Sequence, residues 1–322
     1  MTIDSGDSNR GRVCVVGCGH VGATSAYALL TRGVAREVVL VDADARRAEG
    51  EAMDLQQAAA LARPVEVRAG DWSDAAGASV VVVAAGAGGR PGESRLDLLG
   101  RNAVVVRDVM ENLLSRDFGG IVLMTTNPVD VLAQLAQEFS GLPVGRVIGS
   151  GTVLDSARLR AMLGRRLGVE PRSVHAHVVG EHGDSEIAAW SSARVAGVPV
   201  REFCEGAGLE CPDFDELLAR VRRAAPDIIE RKGYTSYAIA SCVARICEAV
   251  LRDEHSVLPV STRLSGQYGI EGVYLSLPCV VGRAGVERVI EIPLDEEERA
   301  GLRASAELLR RAVESARGVV TR

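Results

Sequence analysis

The sequence has few aromatic residues and no surplus of positive charge. Phe, Trp and Tyr make up 3% of its 322 residues, and the formal net charge is −6. Binding to nucleic acid or to an anionic membrane usually depends on a basic surface, which this composition does not predict. No apolar run reaches the roughly 18 residues that a membrane-spanning helix requires. We therefore expect a small-molecule partner, with no nucleic acid and no membrane.

The cysteines do not form a recognisable pattern. All seven are scattered along the chain and none is spaced as CxxC, so neither a disulfide framework nor a zinc site is indicated. No cluster with metal-ligand spacing is visible, and no metal is expected. No basic segment followed by an apolar one opens the chain, so no export signal is expected either. The sequence predicts a cytoplasmic protein with reduced thiols.

The first regular unit of the chain has the pattern strand, glycine turn, helix, strand. The apolar run Arg12–Val16 stops at residues 17–22, which read GCGHVG, and helix-forming residues follow. A second apolar run, residues 37–41, ends at Asp42. A βαβ unit of about thirty residues, with an acid roughly 20 residues after its last glycine, is typical of dinucleotide binding.

Each glycine of this turn has a separate physical role. Gly17 permits the tight turn, Gly19 lets the backbone approach a pyrophosphate, and Gly22 lets the helix pack closely on the strand. The pyrophosphate would lie at the positive N-terminus of the helix. Asp42 can accept hydrogen bonds from both ribose hydroxyls and would repel a 2′-phosphate, which favours NAD over NADP.

The rest of the first half continues the alternation of strand and helix. Such alternation predicts an α/β fold with a doubly wound parallel sheet of the Rossmann type, in which ligands bind at the carboxyl ends of the strands. The further buried strands are expected at residues 79–85, 120–125 and 146–149.

The pattern changes after about Leu154 and predicts an α+β substrate domain. We expect a flexible tail at residues 1–11, an NAD-binding domain at 12–151 and a catalytic domain at 152–322, with the boundary near Gly151. The segments expected in the second half are β-like stretches at 174–180, 272–278 and 286–292 and long helices at 214–229 and 296–315.

An acid and an arginine open the helix that follows this boundary. Asp155 and Arg158 are three residues apart and share a helix face, whereas Arg160 points elsewhere. An arginine fork can bind a carboxylate with two hydrogen bonds, and an acid beside it can orient a histidine. Taken alone, the pair is equally typical of an ordinary surface ion pair.

A glycine-rich loop follows one of the predicted strands. Four of the seven residues 86–92 are glycine, and Arg95 lies three residues further on. A mobile loop at a ligand-bearing strand end is typical of a lid that closes, excludes water and delivers an arginine to the reacting centre. The alternative is a flexible, solvated loop whose charges only confer solubility.

A histidine between two glycines is the candidate proton carrier. Residues 180–185 read GEHGDS, which places His182 among acids. The ordinary pKa of histidine, about 6.5, lies near working pH, where an acid/base catalyst is most effective.

Together these motifs resemble the L-lactate/malate dehydrogenase family, and they are most similar to its bacterial L-lactate dehydrogenases. The resemblance spans nearly the whole chain and rests on segments 17–22, 91–96, 126–130, 149–158, 180–185 and 232–235.

The resemblance implies a role for each matching residue. His182 would donate and accept the proton, Asp155 would orient it, and Arg158 would bind the substrate carboxylate. Arg95 would polarise the substrate carbonyl, with Asn127 near both carbonyl and nicotinamide. It also places Thr235 in the substrate pocket and adds His20, Val21, Gly86 and Ile239 to the cofactor site. The implied reaction is the reduction of a small 2-oxo acid by NADH.

One position departs from the family pattern. The lid residue six before the lid arginine is typically glutamine in lactate enzymes and arginine in malate enzymes, and here it is Gly89. Glycine leaves the second carboxylate of oxaloacetate unpaired, and Glu93 also resembles the lactate branch, so pyruvate is expected. The space at Gly89 leaves bulkier 2-oxo acids open, and Arg90 leaves malate dehydrogenase activity open.

The resemblance further implies regulation and assembly. Arg160 and His175 match the positions at which bacterial lactate dehydrogenases bind fructose 1,6-bisphosphate between subunits of a homotetramer. A surface arginine and a strand histidine are the simpler alternative. Outside this family, two alternatives are a non-catalytic NAD-binding protein and an NAD-dependent glycosidase, of which the second would need a metal.

Overall fold

The computed structural model describes residues 11–88 and 95–320, with Arg95 and Val320 described in their backbone only. The strands within these ranges are β1 (Arg12–Val16), β2 (Glu37–Val41), β3 (Glu66–Ala69), β4 (Val80–Val83), β5 (Ile121–Met124), β6 (Val147–Gly149), β7 (Val174–His175), β8 (Val178–Val179), β9 (Ile187–Ala188), β10 (Arg194–Val195), β11 (Val198–Pro199), β12 (Ser256–Ser265), β13 (Glu271–Gly282) and β14 (Gly285–Val289). The helices are α1 (His20–Arg32), α2 (Ala45–Ala59), α3 (Trp72–Ala76), α4 (Arg95–Leu114), α5 (Val129–Ser140), α6 (Val153–Leu167), α7 (Val200–Gly206), α8 (Phe214–Lys232), α9 (Tyr237–Leu251) and α10 (Glu296–Val320).

Six parallel strands form the first part of the main sheet, in the order β6-β5-β4-β1-β2-β3. Their apolar runs are buried on both faces, because helices cover the sheet from two sides. The predicted doubly wound α/β architecture is confirmed. The strand order reverses between β1 and β4, so a ligand crevice is expected at the carboxyl ends of these two strands.

Five strands of this part agree with the sequence prediction. β1 and β2 have the expected bounds, and β4, β5 and β6 lie inside the expected segments. β3 was not predicted, because it is an edge strand with two charged residues among its four. One of them, Arg68, pairs with Glu37 and Asp74 rather than joining an apolar run.

The last three strands extend the same sheet rather than forming a separate one. β12 pairs antiparallel with β6 through Ser261 and Gly149, and β13 and β14 follow, which makes nine strands. A Cβ at Gly149 would lie 2.8 Å from the Cβ of Ser261, so this junction requires a glycine. The β-like segments expected at 272–278 and 286–292 overlap β13 and β14, whereas the ten-residue β12, which pairs with β13, was not predicted. The junction of β12 with β6 joins residues that are far apart in the sequence, which a local pattern does not show.

The segment expected to be β-like at 174–180 contributes to two small sheets. β7 joins a three-stranded sheet with β10 and β11, whereas β8 pairs with β9. β8 leads directly to His182 and is held against α6 by side-chain hydrogen bonds. Thr152 donates to the Val178 carbonyl at 2.5 Å, and the Val178 N–H donates to Ser156 Oγ at 2.9 Å. These bonds fix the distance between the helix of Asp155 and the loop of His182.

Two long helices of the second half were predicted and extend slightly further than expected. α8 is amphipathic, and α10 buries Leu302, Ala306, Leu309, Val313 and Ala316 at helical spacing against the core that includes α4 and α5. Among the described helices, none combines the length and the apolar character that crossing a bilayer would require.

Candidate active site

A cleft of about 500 Å³ opens at the carboxyl ends of β1, β2 and β4. Four of the predicted cofactor residues line it, namely Gly17, Gly19, Asp42 and Gly86. The sequence did not single out the other side chains that line it, among them Arg47, Trp72, Val105 and Asp108. They come from α2, α3 and α4, and only the fold brings them to the cleft.

The glycine turn has little room for side chains on its protein side. Gly17 has φ +95°, and a Cβ there would lie 2.4 Å from the backbone nitrogen of Ala85. A Cβ at Gly22 would lie 1.8 Å from the carbonyl oxygen of Gly17. At Gly19, in contrast, a Cβ would meet no protein atom within 4 Å. The open side of the turn is therefore the side on which a ligand can approach.

The helix that follows presents its N-terminus to this open side. α1 begins at His20 behind Gly19, which offers no side-chain cap, and no acid lies in its first turn. Free N–H groups at a helix N-terminus and the helix dipole both favour an anion. The residues of the turn thus fit the pyrophosphate of a dinucleotide.

Asp42 is fixed by backbone hydrogen bonds at the end of β2. Its Oδ2 accepts the N–H of Cys18 at 2.6 Å, and its Oδ1 accepts the N–H of Asp44 at 2.9 Å. Each carboxylate oxygen keeps a further lone pair with which to accept a ribose hydroxyl. The carboxylate is therefore oriented toward the cleft before any ligand binds.

His20 connects the glycine turn to the loop between α8 and α9. Its ring stacks on Tyr234 with 3.8 Å between centroids and 6° between planes. Lys232 Nζ lies 4.5 Å from the centroid of the same tyrosine ring and 3.7 Å from that of Tyr237. Thr235 lies in this loop, so the predicted substrate pocket and the cofactor turn are linked by an aromatic stack that the sequence did not predict.

Ile239 and Val21 complete the predicted cofactor set. Ile239, on α9, packs partly buried against the apolar cluster that contains Cys18 of the glycine turn. Val21 lies in the first turn of α1 and is partly exposed.

The imidazole of His182 and the guanidinium of Arg158 share one carboxylate. His182 Nδ1 lies 2.6 Å from Asp155 Oδ2, and Arg158 Nη1 donates to Asp155 Oδ1 at 2.8 Å. Asp155 is 2% exposed, whereas the His182 side chain keeps 23% of its surface exposed. With Nδ1 turned to the carboxylate, Nε2 is the nitrogen that can exchange a proton with a substrate.

The charges of this group favour a protonated histidine. Burial by itself lowers the pKa of His182, but the charge and hydrogen bond of Asp155 raise it to about 9. Burial tends to raise the pKa of Asp155, yet His182 and Arg158 together hold it below its usual value. At neutral pH the two groups form an imidazolium–carboxylate pair.

Asp130 supports His182 from a third element and was not predicted as a site residue. It lies in the first turn of α5, and its Oδ2 accepts the backbone N–H of His182 at 2.8 Å. Burial raises the pKa of Asp130 to about 6, although the His182 N–H counteracts this effect. The sequence signal was its position in segment 126–130, directly after the predicted strand β5.

Asn127 lies at the end of β5 and is exposed. Its carbonyl accepts a hydrogen bond of 3.2 Å from Asn102 Nδ2, and Asn102 Oδ1 accepts the N–H of Ala87 at 2.7 Å. Asn102 is a buried amide on α4, and it ties the ends of β4 and β5 together behind the cleft. Its sequence signal is weak, because Asn102 follows Arg101 in a helix of mixed polarity that also contains Asn112.

The predicted lid falls largely outside the described residues. Gly89, Arg90 and Glu93 lie there, as does the side chain of Arg95, whose backbone begins α4. The specificity position and the lid arginine therefore stay predictions.

Arg160 points away from Arg158, as the helical spacing predicts. Its Nε donates to the Ala176 carbonyl at 2.8 Å, and its Nη2 lies 3.2 Å from His177 Nδ1. Burial, then Arg160, then His175 lower the pKa of His177 to about 4, so this ring is neutral and accepts the bond. His175 itself is exposed on β7. Arg160 and His175 were predicted as effector-binding residues, whereas His177 was not.

The structure thus combines a cleft that fits a dinucleotide with a histidine, an aspartate and an arginine whose side chains contact one another. Comparison with known families agrees with this combination. Residues 11–149 match the family description "lactate/malate dehydrogenase, NAD binding domain", and residues 152–319 match "lactate/malate dehydrogenase, alpha/beta C-terminal domain". The chain belongs to the lactate/malate dehydrogenase family.

Individual relatives are similar over nearly their whole length. An L-lactate dehydrogenase of Moorella thermoacetica is 50% identical over 94% of this chain and 96% of its own. One of Thermoanaerobacter pseudethanolicus is 47% identical over 94% and 98%. Two solved structures are each 40% identical over 96% of this chain and 99% of theirs. They are a lactate dehydrogenase from a deep-sea metagenome of the Medee basin, with a TM-score of 0.92, and the minor L-lactate dehydrogenase of Enterococcus mundtii, with a TM-score of 0.93.

Proposed function

We propose that this chain is an NAD-dependent L-lactate dehydrogenase that converts pyruvate, NADH and a proton to L-lactate and NAD⁺. The observation that carries the proposal is the arrangement of His182 and Arg158 around the buried carboxylate of Asp155. Reduction of a 2-oxo acid needs a proton donor for the carbonyl oxygen and a cation for the carboxylate. This site supplies both.

Each residue of the site has a defined task in that reaction. When bound, the cofactor supplies the hydride. Arg158 donates one N–H to Asp155. Its other N–H groups can hold the substrate carboxylate in a fixed orientation. His182 Nε2 gives its proton to the carbonyl oxygen, and Asp155 stabilises the imidazolium before the transfer. Arg95 would stabilise the negative charge that develops on that oxygen, and Asn127 would form a hydrogen bond near it.

The direction of catalysis should follow the protonation of His182. A pKa of about 9 keeps this histidine protonated at neutral pH, the form that donates to pyruvate. Oxidation of lactate needs the neutral imidazole and should increase as pH rises toward that value.

The choice of substrate is assigned to the lid and to Thr235. Gly89 provides no cation for a second carboxylate, which favours pyruvate over oxaloacetate. Its missing side chain leaves room for larger 2-oxo acids, and Arg90 is the residue through which malate dehydrogenase activity would arise.

A direct test separates an enzyme from a non-catalytic NAD-binding protein. NADH oxidation is followed with pyruvate for the wild type and for His182→Ala, while NADH affinity is measured by fluorescence. We expect rapid oxidation by the wild type and a rate lower by a factor of about a hundred or more in the variant, with NADH affinity retained. A wild type as slow as the variant would favour the binding protein.

We also infer how the molecule is organised. The NAD-binding part is assigned to residues 12–151 and the substrate part to 152–322, since Gly151 lies just beyond the end of β6, the last strand of the parallel part of the sheet. A cytoplasmic homotetramer is proposed from the family relationship, and analytical ultracentrifugation tests it: a monomer at micromolar concentration would contradict it.

Fructose 1,6-bisphosphate is the proposed effector, bound through Arg160 and His175. The guanidinium of Arg160 already contacts Ala176 and His177, so the effector would use its remaining N–H donors or displace one of these bonds. Titrating the bisphosphate at low pyruvate should raise the rate of the wild type and not of Arg160→Gln. An unchanged wild-type curve would dispose of the effector site.

A further inference from the structure

Glu186 is a buried carboxyl close to the proposed active site that the mechanism above does not use. It lies four residues after His182 and is 2% exposed. Within the described part of the chain, its Oε1 has no hydrogen-bond partner. A buried ionised carboxylate without a partner is costly, so this group must either hold a proton or be neutralised by a cation.

A second carboxylate lies very near. Single ligand atoms of Glu186, Asp155 and His182 all lie within 4.8 Å of one another. Two carboxylates this close in a site shielded from water resist simultaneous ionisation. One of them must therefore keep a proton unless enough positive charge surrounds both.

The surrounding cations favour ionisation of Asp155 rather than of Glu186. Both oxygens of Asp155 contact a cation, since Oδ2 meets His182 and Oδ1 meets Arg158. The guanidinium of Arg222, on α8, contacts the Glu186 backbone carbonyl instead of its side chain. The charged groups that face the pair are Asp155 and Arg158 on α6, Asp130 on α5, Arg222 on α8, and Glu181 and His182 on the same loop.

We propose that Glu186 is a positioning residue that keeps its carboxyl proton at neutral pH and, by losing that proton in alkaline solution, holds the proton of His182 more tightly. In the neutral form, Asp155 is the carboxylate whose negative charge contacts the side chains of both His182 and Arg158. The anionic form adds a second negative charge beside the imidazolium.

The expected titrations agree with this geometry. Burial, followed by the charge of Asp155, raises the pKa of Glu186 to about 8, and Glu186 is among the groups that raise the pKa of His182. Glu186 would thus ionise just before His182 loses its proton. In the proposed lactate oxidation, which this inference extends, the neutral imidazole would then form only at a higher pH.

The first test measures the pKa of His182 directly, without substrate. NMR titration of histidine-labelled full-length protein, assigned with a His182→Gln sample, compares the wild type with Glu186→Gln. We expect the pKa of His182 to fall by about one unit or more, because an opposite charge within 4–6 Å is removed. Glu186→Asp, which keeps a carboxyl, should restore most of the shift.

A matched control separates this effect from a general loss of packing. Glu298 is also a buried glutamate, and its carboxylate accepts the N–H groups of Ser191 and Asp295. Glu298→Gln should lower the melting temperature without moving the pKa of His182. An unchanged pKa of His182 in folded Glu186→Gln would overturn the proposal.

The second test uses thermal unfolding. A carboxyl whose pKa is raised on folding binds a proton in the native state that the unfolded chain has released, so stability declines between the two pKa values. The wild type should therefore lose stability relative to Glu186→Gln as pH rises from about 5 to about 8. A constant difference in melting temperature across this range would contradict a protonated Glu186.

The proposal can also be tested if the Glu186→Gln variant does not fold. Glu186→Met then replaces it as a variant with a neutral side chain of similar length. Infrared spectra of the wild type should show a buried carboxylic acid that ionises with a midpoint near pH 8, and its absence would also overturn the proposal. The wild type could be inactive on pyruvate while the pKa of His182 still falls in Glu186→Gln. That result would reject the proposed function but support the proposed effect of Glu186 on His182.

Discussion

Three acids from three parts of the chain lie around His182. Asp155 comes from α6, Asp130 from α5 and Glu186 from the loop of His182 itself. The sequence predicted the shared face of Asp155 and Arg158, because helical spacing is local. That Asp155 meets His182 followed only from the family resemblance, since no spacing rule joins residues 27 positions apart.

Replacing Asp155 by asparagine should change how the rate depends on pH. Without the carboxylate, the largest influence that opposes the effect of burial is lost, and the pKa of His182 falls from about 9. Pyruvate reduction needs the protonated ring, so its alkaline decline should begin at lower pH, and kcat at pH 7.5 should fall by a factor of about a hundred or more. The measurement is the pH profile of kcat with pyruvate and NADH.

NADH affinity provides the control for Asp155→Asn, since the glycine turn is untouched and binding should be retained. An unmoved alkaline limb would mean that Asp155 does not set the pKa of His182.

Arg158 should be sensitive even to substitution by lysine. Lysine carries the charge but cannot form two parallel hydrogen bonds to a carboxylate, and it would also weaken the bond to Asp155. We expect KM for pyruvate to rise by about tenfold or more, because a hydrogen bond to a charged group contributes roughly 1.5–3 kcal/mol and one such bond would be lost. Arg165→Lys, on an exposed position of the same helix, is the matched control. Equal KM values for Arg158→Lys and Arg165→Lys would mean that Arg158 does not bind the substrate.

At the scale of elements, the strand–turn–helix unit at the start of the chain was the most predictable part. The two strands, the glycines and the terminal acid of this unit all lie within about thirty residues. Local sequence patterns are therefore enough to predict it. β3, β12 and α9 were not predicted. β3 is too polar for its length, and the place of β12 in the sheet depends on its pairing with β6, in which Ser261 meets the distant Gly149.

Two glycines of this unit should respond differently to alanine. At Gly22 a Cβ would lie 1.8 Å from a backbone oxygen, so Gly22→Ala should both destabilise the protein and weaken NADH binding. At Gly19, with φ −73° and no protein atom near, Gly19→Ala should fold normally and lose only affinity. Melting temperature and NADH fluorescence titration measure the two effects.

Gly50→Ala provides the baseline for this pair. Gly50 lies within α2, where a Cβ meets nothing within 4 Å, and alanine should be neutral or slightly stabilising there. If Gly19→Ala binds NADH as well as Gly50→Ala does, the pyrophosphate does not lie against the turn.

At the scale of the whole molecule, one nine-stranded sheet joins both halves of the chain. The cleft lined by the glycine turn lies at the carboxyl ends of its parallel strands, and His182, which follows β8, contacts Asp130 at the start of the helix after β5. The chain carries a net charge of −6, yet His182 and Arg158 both contact the Asp155 carboxylate. Composition alone could not predict that two basic side chains meet there.

The substrate is the part of the site that sequence and fold determine least. Gly89 and Arg90 lie outside the described residues, and their interpretation depends on the family pattern. The physical argument is one of charge: a closed site without a second cation should reject a second carboxylate.

The most direct test of the whole account is therefore kcat/KM with NADH for pyruvate, oxaloacetate, 2-oxoisocaproate and phenylpyruvate. We predict that pyruvate is reduced more efficiently than oxaloacetate, with measurable activity on the bulkier acids because Gly89 leaves space. A preference for oxaloacetate by about tenfold or more, equivalent to about 1.4 kcal/mol, would contradict the lactate assignment.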